Sequence, residues 1–275
     1  MKTVVLQTYT GKGYLGHSRI VDSEDVSINR QIMAICMKSV KNWCDKNEYE
    51  YKLIKDIDLG WNYFTKRFSI KNKDLHNGAP LVHNEDREKD LCAQRHEVAL
   101  KIDADYLVIL DNDIFVEEDF KLPNVKVGLC VTPWGEFKTP DRKNYRVYER
   151  FDIFTQMYNC AYPQGGVQFI SGKYIKHYNN WLVNSFKADK WPILWDGLEQ
   201  SHIFEYSQQF PENINWLDHK YNCIPQRYTL KEIKESFLIH FCGPRKSTHI
   251  KFLEEEMLFK LFGEINANSL RKHWN

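Results

Sequence analysis

Apolar and polar positions along the chain follow two periods in turn, and the changes of period mark out a series of strands and helices. "TVVLQTY" (3–9) is a β-branched run ending in polar residues and predicts a first strand. From Ser27 to Asp45, Ile28, Ile32, Ile35, Val40 and Trp43 recur at helical spacing, with Ser27 placed as N-cap. "YEYKLIKD" (49–56) alternates as a strand, whereas residues 57–84 are polar and aromatic without a period and predict a long loop. A helix over about 85–101 leads into the strand "DYLVILD". "KVGLCVTPW" (126–134) and "GGVQFIS" (165–171) predict further strands, and a helix carrying Tyr174, Trp181 and Phe186 follows. Residues 196–210 read as a helix, "INWLD" and "FLIHF" as short strands, and 248–262 as an amphipathic closing helix. Residues 135–162, rich in Tyr, Phe, Arg and Asp, read as an insertion near a site. No repeat, low-complexity tract or Pro/Gly linker divides the chain. Strands alternating with helices in one piece predict an α/β fold with a mostly parallel sheet covered on both faces.

Composition narrows the class. With 43% apolar and 27% charged residues the chain is globular rather than disordered, and a net charge of +1 gives no global electrostatic case for nucleic acid or an acidic membrane. The longest aliphatic run, Leu107 to Leu110, is far below the ~20 apolar residues a membrane span needs. Met1-Lys2 leads directly into the first strand with no signal-peptide pattern. The seven cysteines are odd in number, scattered and without C-x-x-C, which points to a reducing compartment and a cytoplasmic protein.

Chemistry gathers at two places. "GKGYLGH" (11–17) lacks the spacing of a Walker loop or of G-x-G-x-x-G and reads at most as a nucleotide-facing loop. "DYLVILDNDIFVEEDF" (105–120) is different: an apolar strand ends in Asp111-Asn112-Asp113 and resumes as Ile114-Phe115-Val116. Two carboxylates one residue apart beside apolar chain repel each other and resist desolvation, so either a cation lies between them or the strand simply ends in a surface turn. An EF-hand is excluded, because its sixth position must be Gly and here is Val116. Two carboxylates suit Mg²⁺ or Mn²⁺, ions that complete their shell with substrate phosphates and water. Asp103 and Asp105, at the strand's amino end, read as caps or turns. In "FLIHFCGPRK" (237–246) a strand delivers His240, Gly243, Arg245 and Lys246. A His can ligate a metal or sit in a core, a Gly admits a phosphate, and a Lys neutralises one or is merely solvated. The H-x-x-G-x-x-K grouping favours the functional reading.

These motifs resemble those of GT-A fold glycosyltransferases, most of all the retaining group that includes glycogenin and bacterial lipopolysaccharide galactosyltransferases. "VILDND" resembles the family's D-x-D and "HFCGPRK" its late H-x-x-G-x-x-K. "CAQRHEVAL" offers Arg95 for the helical Arg upstream, "PQGGVQFIS" resembles the strand on the reacting face, and "DGLEQSHIF" the acidic-Gln pair through Glu199 and Gln200. Gln164 stands where the family has Asn or Asp, and Glu199 where Asp is usual. These landmarks run from residue 3 to 246. The resemblance implies a Rossmann-like donor half (1–125), an acceptor half (126–246) and a C-terminal helix (247–275). It implies a metal, Mn²⁺ or Mg²⁺, on Asp111, Asp113 and His240, and a nucleotide-diphosphate sugar, UDP-sugar by family habit, near Asn112, Gly243, Arg245 and Lys246. Arg95 would orient the donor sugar, and Thr8 and Tyr9 would contact the base, Tyr9 by stacking.

The reaction so implied is sugar transfer to an acceptor nucleophile. Gln164, Asp196, Glu199 and Gln200 are the polar groups in the catalytic segment. A retaining enzyme uses an opposite-face nucleophile or lets the leaving phosphate deprotonate the acceptor; an inverting one needs Asp196 or Glu199 as base. The family's default acceptor is a glycan or lipid-linked glycan. Modified nucleic acid is a further option, since "WNYFTKRFSIKNK" (61–73) interleaves rings with cations, a pattern that also suits a solvated loop. The carboxyl end, "LFKLFGEINANSLRKHWN", reads as a packed terminal helix or a membrane-surface one. A metal-dependent phosphoesterase or a non-catalytic nucleotide-sugar binder would share the acidic pair.

Overall fold

The structure, a computed structural model, describes residues 1–9, 23–55, 57, 59, 64–66, 87–89, 93–117, 120–131, 163–188, 199–242 and 246–271. Its centre is a six-stranded sheet made of β1 (Thr3–Tyr9), β2 (Glu50–Lys55), β5 (Tyr106–Leu110), β7 (Val127–Val131), β8 (Pro163–Ser171) and β9 (Ile214–Leu217), in the order β2-β1-β5-β8-β7-β9. β1 pairs parallel with β2 and β5, and β7 parallel with β9, while β8 runs antiparallel to both its neighbours. The sheet is therefore mixed and mostly parallel. Reversal of β8 sets its amino end beside the carboxyl ends of β5 and β7, the edge where ligands gather in open α/β sheets.

The sheet's strongest run is β5, "YLVIL", buried at every position. Its residues divide by parity. Leu107 and Ile109 join Val4, Leu6, Leu129 and Ile170 in one core, while Tyr106, Val108 and Leu110 join Val5, Cys130 and Phe169 in another. That is the period-2 consequence of a strand covered on both sides. The first core is closed by α2 (Arg95–Ala99), α3 (Tyr174–Lys187) and α4 (Glu199–Gln209). The second lies under α1 (Ser23–Lys46), through Val40, Trp43 and Cys44, with the Trp43 ring stacked on Phe120 at 4.7 Å between centroids. The same helix continues its stripe through Ile28, Ile32 and Cys36 into a third core. There it meets two C-terminal helices, α6 (Ser247–Ile250) and α7 (Glu255–Arg271).

A small two-stranded sheet docks at the site's edge. After the turn at 111–113 the chain forms β6 (Ile114–Val116), which pairs antiparallel with β10 (Leu238–His240). Ile114 lies opposite His240, so the ladder register alone brings the late histidine beside the acidic turn.

Several expectations change. The first helix starts at Ser23 rather than after Ser27. The helix expected over 85–101 shrinks to α2, because Arg87–Lys89 forms a strand, β4, paired antiparallel with β3 (Phe64–Lys66) inside the expected loop. Long-range pairing there overrides local propensity. The closing helix is two, and Gly263, at φ 70°, breaks the regular geometry of the second. Ile250, Leu253, Met257, Leu258, Leu261 and Phe262 are nonetheless all buried, so this part of the carboxyl end packs as core. A short helix, α5 (Leu230–Lys234), had no counterpart in the sequence reading. Residues 11–17 and 135–162, and all of 61–73 except the strand 64–66, lie outside the described residues. Among the described residues, no helix is long and apolar enough to cross a membrane.

Candidate metal-dependent active site

Backbone hydrogen bonds fix the acidic turn from both sides. Asp111 N donates to Gly166 O at 2.8 Å and Phe241 N donates to Asp113 O at 3.0 Å. Gln7, fully buried in β1, donates from Nε2 to Asp111 O at 2.8 Å and accepts from the Tyr51 hydroxyl at 2.8 Å. The turn is thus tied to β1, to β8 and to the residue that follows β10 before its own side chains act.

The side chains then converge. One carboxylate oxygen each of Asp111 and Asp113 and a ring nitrogen of His240 lie within 4.8 Å of one another. His240 Nε2 stands 3.3 Å from Asp113 Oδ1 and 3.8 Å from Asp111 Oδ2. Three ligand atoms on one face of an octahedron about a cation at roughly 2.1 Å stand about 3 Å apart, so a small inward movement would close the set on Mg²⁺ or Mn²⁺. Asp113 is 3% exposed, and its Oδ1 has no hydrogen-bond partner. A buried carboxylate oxygen left without a partner is costly, and a cation is the partner that the imidazole nitrogen beside it would share. The residues present fit a hard divalent ion.

The other oxygen of Asp113 accepts from Lys246 Nζ, which also donates to Phe241 O at 3.1 Å. Burial pushes the Asp113 carboxyl up, but the Lys246 ammonium and His240 outweigh it and hold the group well below the usual carboxylate range. On the far side of His240, Nδ1 meets Asn222 Oδ1 at 2.9 Å.

Behind Asp111 lies a buried polar cluster. Arg95, 1% exposed, donates from Nη1 to Asp111 Oδ1 at 2.6 Å. It grips Glu199 with two bonds, Nε to Oε1 at 2.8 Å and Nη2 to Oε2 at 2.7 Å, and Nη2 also reaches Gly165 O at 2.9 Å. Glu199 Oε1 further meets His96 Nε2 at 2.5 Å and Gln168 Nε2 at 3.2 Å. Burial raises the Glu199 carboxyl, and Arg95, then His96, more than offset it, so the group is held below its ordinary range. Arg95, expected to orient a sugar, is engaged through Nε and both Nη atoms beneath the acidic turn.

A bulge in β8 makes room for all of this. Leu129 of β7 pairs with Gln168, but Cys130 pairs with Gln164, so residues 165–167 have no β7 residue in register. The bulge turns the Gly165 carbonyl to Arg95 and brings Gly166 against the ligands. A Cβ on Gly166 would stand 2.5 Å from His240 Cε1 and 2.8 Å from Asp111 Oδ2, closer than packed atoms come. Bulges of this kind re-aim side chains next to active sites.

The remaining expectations fall around this centre. Asn112 is half-buried in the turn, and Thr8 is half-buried near the carboxyl end of β1, beside the backbone of Tyr9. Gln164, half-buried, turns its Oε1 back to Gly166 N at 3.2 Å, and Gln200 is half-buried in the first turn of α4. Asp196, Gly243 and Arg245 lie outside the described residues. Asp105, as expected of a cap, accepts from Lys2 N at 2.7 Å. Sequence reasoning missed Gly166, Gln168, His96 and Asn222. Only Gly166 left a signal, as a glycine inside a strand pattern.

No family model and no curated protein matches the chain. Two solved structures with similarity to it are glycosyltransferases. A glycosyltransferase involved in the glycosylation of the major capsid of PBCV-1 shares 15% identity, with a TM-score of 0.49 over 90% of this chain and 97% of that one. The galactosyltransferase LgtC, in complex with donor and acceptor sugar analogues, shares 13% identity, with a TM-score of 0.44 over 99% of this chain and 96% of that one. Neither likeness assigns a role to any residue of this chain.

Proposed function

We propose that the chain is a metal-dependent glycosyltransferase that moves a sugar from a nucleotide-diphosphate sugar, a UDP-sugar in this reading, to a glycan or lipid-linked glycan. The observation that carries it is the convergence of Asp111 Oδ2, Asp113 Oδ1 and His240 Nε2 at the carboxyl ends of the central strands, with the Asp113 oxygen lacking a hydrogen-bond partner. Three protein ligands leave half an octahedral shell to be filled, which suits a diphosphate and water. Bound there, Mn²⁺ or Mg²⁺ would supply Lewis-acid stabilisation of the departing diphosphate. A two-metal phosphoesterase would need a second cluster of ligands, and among the described residues Asp111, Asp113 and His240 form the one such group.

The chain's own residues divide the work. Asp111, Asp113 and His240 hold the cation; Thr8 and Tyr9 receive the base; Gly243, Arg245 and Lys246 border the diphosphate. Gln164 and Gln200, half-buried, face the donor sugar and acceptor. Both Glu199 oxygens are engaged by Arg95, and its carboxyl is held in the ionised form by that contact, which makes it a poor proton acceptor. An inverting reaction would then fall to Asp196 as base. Retention is the reading preferred here. The bond from the anomeric carbon to the diphosphate breaks, the acceptor oxygen bonds to that carbon on the same face, and the acceptor's proton passes to the departing phosphate. The odd, scattered cysteines suit a reducing, cytoplasmic setting.

The test is a thermal-shift series with nucleoside diphosphates and nucleotide sugars, each with and without Mn²⁺. One nucleotide should stabilise the protein only when Mn²⁺ is present, and Asp113→Ala should abolish the shift. Release of sugar from the matching donor would name it. A folded protein showing no Mn²⁺-linked shift with any nucleotide would overturn the reading.

A further inference from the structure

Each of the three ligating side chains has a second polar atom, and each of these is held from behind by a buried residue. Asp111 Oδ1 is held by Arg95 Nη1 at 2.6 Å, Asp113 Oδ2 by Lys246 Nζ, and His240 Nδ1 by Asn222 Oδ1 at 2.9 Å. The three holders are 1%, 1% and 2% exposed. The terminal torsions of Asp and His have broad wells, so an unheld carboxylate or imidazole would sample many orientations. Holding one atom of each fixes where the other points, and here all three others point at one place.

The histidine shows the logic most fully. With Nδ1–H donated to the Asn222 carbonyl oxygen, Nε2 keeps its lone pair and turns it toward Asp113 Oδ1 and Asp111 Oδ2. The opposite tautomer would aim a hydrogen at the cation's place. Arg95 is itself immobilised by the paired bonds to Glu199 and by the Gly165 carbonyl, and Lys246 by the Phe241 carbonyl.

We propose that Arg95, Lys246 and Asn222 form an outer ring of positioning residues for a single divalent-cation site, each setting one ligand by its rear atom. The inference rests on the cation reading above and goes beyond it. It gives Arg95 and Lys246 an effect on cation affinity that exists before any nucleotide arrives, whereas contacts to sugar or diphosphate would act only afterwards.

The test measures Mn²⁺ binding to the full chain without nucleotide, by calorimetry and by the loss of the free-ion EPR signal. Asn222→Leu, Lys246→Met and Arg95→Met should each weaken Mn²⁺ about 10- to 100-fold, the usual effect of losing an outer-shell partner. Asn222→Asp, which still accepts from Nδ1–H, should bind within a few-fold of wild type. Nitrogen NMR of His240 should show the Nδ1–H tautomer in wild type and in Asn222→Asp, and its loss in Asn222→Leu. Removing Lys246 or Arg95 strands a buried carboxylate and endangers folding, so Asn222→Leu, which strands no charge, carries the decision, with Asn222→Asp as the variant that keeps the acceptor. Wild-type binding with Asn222→Leu within two-fold and an unchanged tautomer would overturn the ring. Weaker nucleotide binding by Lys246→Met at unchanged Mn²⁺ affinity would remove Lys246 from it. A wild type that binds no Mn²⁺, with or without nucleotide, would overturn the cation reading itself and the ring with it.

Discussion

Replacing Gly166 by alanine would put a methyl group where His240 Cε1 and the Asp111 carboxylate already stand, 2.5 Å and 2.8 Å from the new carbon. Neither neighbour yields easily, because His240 is tied to Asn222 and Asp111 to Arg95. The expected outcome for Gly166→Ala is a stability loss of about 1–3 kcal/mol, as for other overpacked interiors. Loss of Mn²⁺-linked thermal stabilisation should accompany it, and a variant that keeps the full shift would show that the ligand cluster has slack. At this scale the sequence was informative where chemistry is adjacent in the chain. Asp111 with Asp113, and His240 with Lys246, carry their meaning in spacings of two and six. Arg95 and Glu199, 104 positions apart, do not. Nor does Asn222, 18 positions before His240 in a stretch with no period. Such partners exist only once the sheet has set the distances.

Among the elements, α5 shows a signal that was present and passed over. Thr229 accepts from Glu232 N at 3.3 Å, and the Glu232 carboxylate accepts from Thr229 N at 2.7 Å, a reciprocal capping box. T-x-x-E ahead of Ile233 was readable, but a five-residue helix is too short to show an apolar period. Thr229→Ala should cost about 0.5–2 kcal/mol in urea unfolding while leaving Mn²⁺ affinity unchanged. A change in cation binding would mean that α5 bears on the site. The long strands and α3 were legible because burial on both faces, or on one stripe, writes itself into hydrophobicity. β3 and β4 were not, since three-residue strands owe their form to pairing with each other. The β8 bulge also left little trace beyond its glycines, because register is a relation between two strands.

For the whole molecule, the response to acid follows from what is buried. His202 and His249 are pulled down from 6.5 to about 3, in both cases chiefly by burial, which disfavours the imidazolium. Unfolding would return them to ordinary values, so between about pH 6.5 and 3 the unfolded chain binds more protons than the folded one. Stability therefore falls as pH drops through that window. Asp113 and Glu199 are depressed instead, so their contribution is present above the ordinary carboxylate range and is lost as pH falls through and below it. The expected result is a urea midpoint that declines steadily from pH 7 to 4 and more steeply below. A midpoint level between pH 7 and 5 would show that these histidines are not held neutral.

The pairing of β6 with β10 has a consequence in time. Synthesis delivers the amino end first, and the acidic turn itself has been made once residue 113 has emerged. His240 and Lys246 arrive more than a hundred residues later, on the order of ten seconds at ordinary elongation rates. Through that interval a growing chain holds two mutually repelling carboxylates with neither their lysine nor their imidazole. The sheet can begin to assemble while the Asp111–Asp113–His240 cluster cannot, so the cluster closes only after the chain has been made through residue 246.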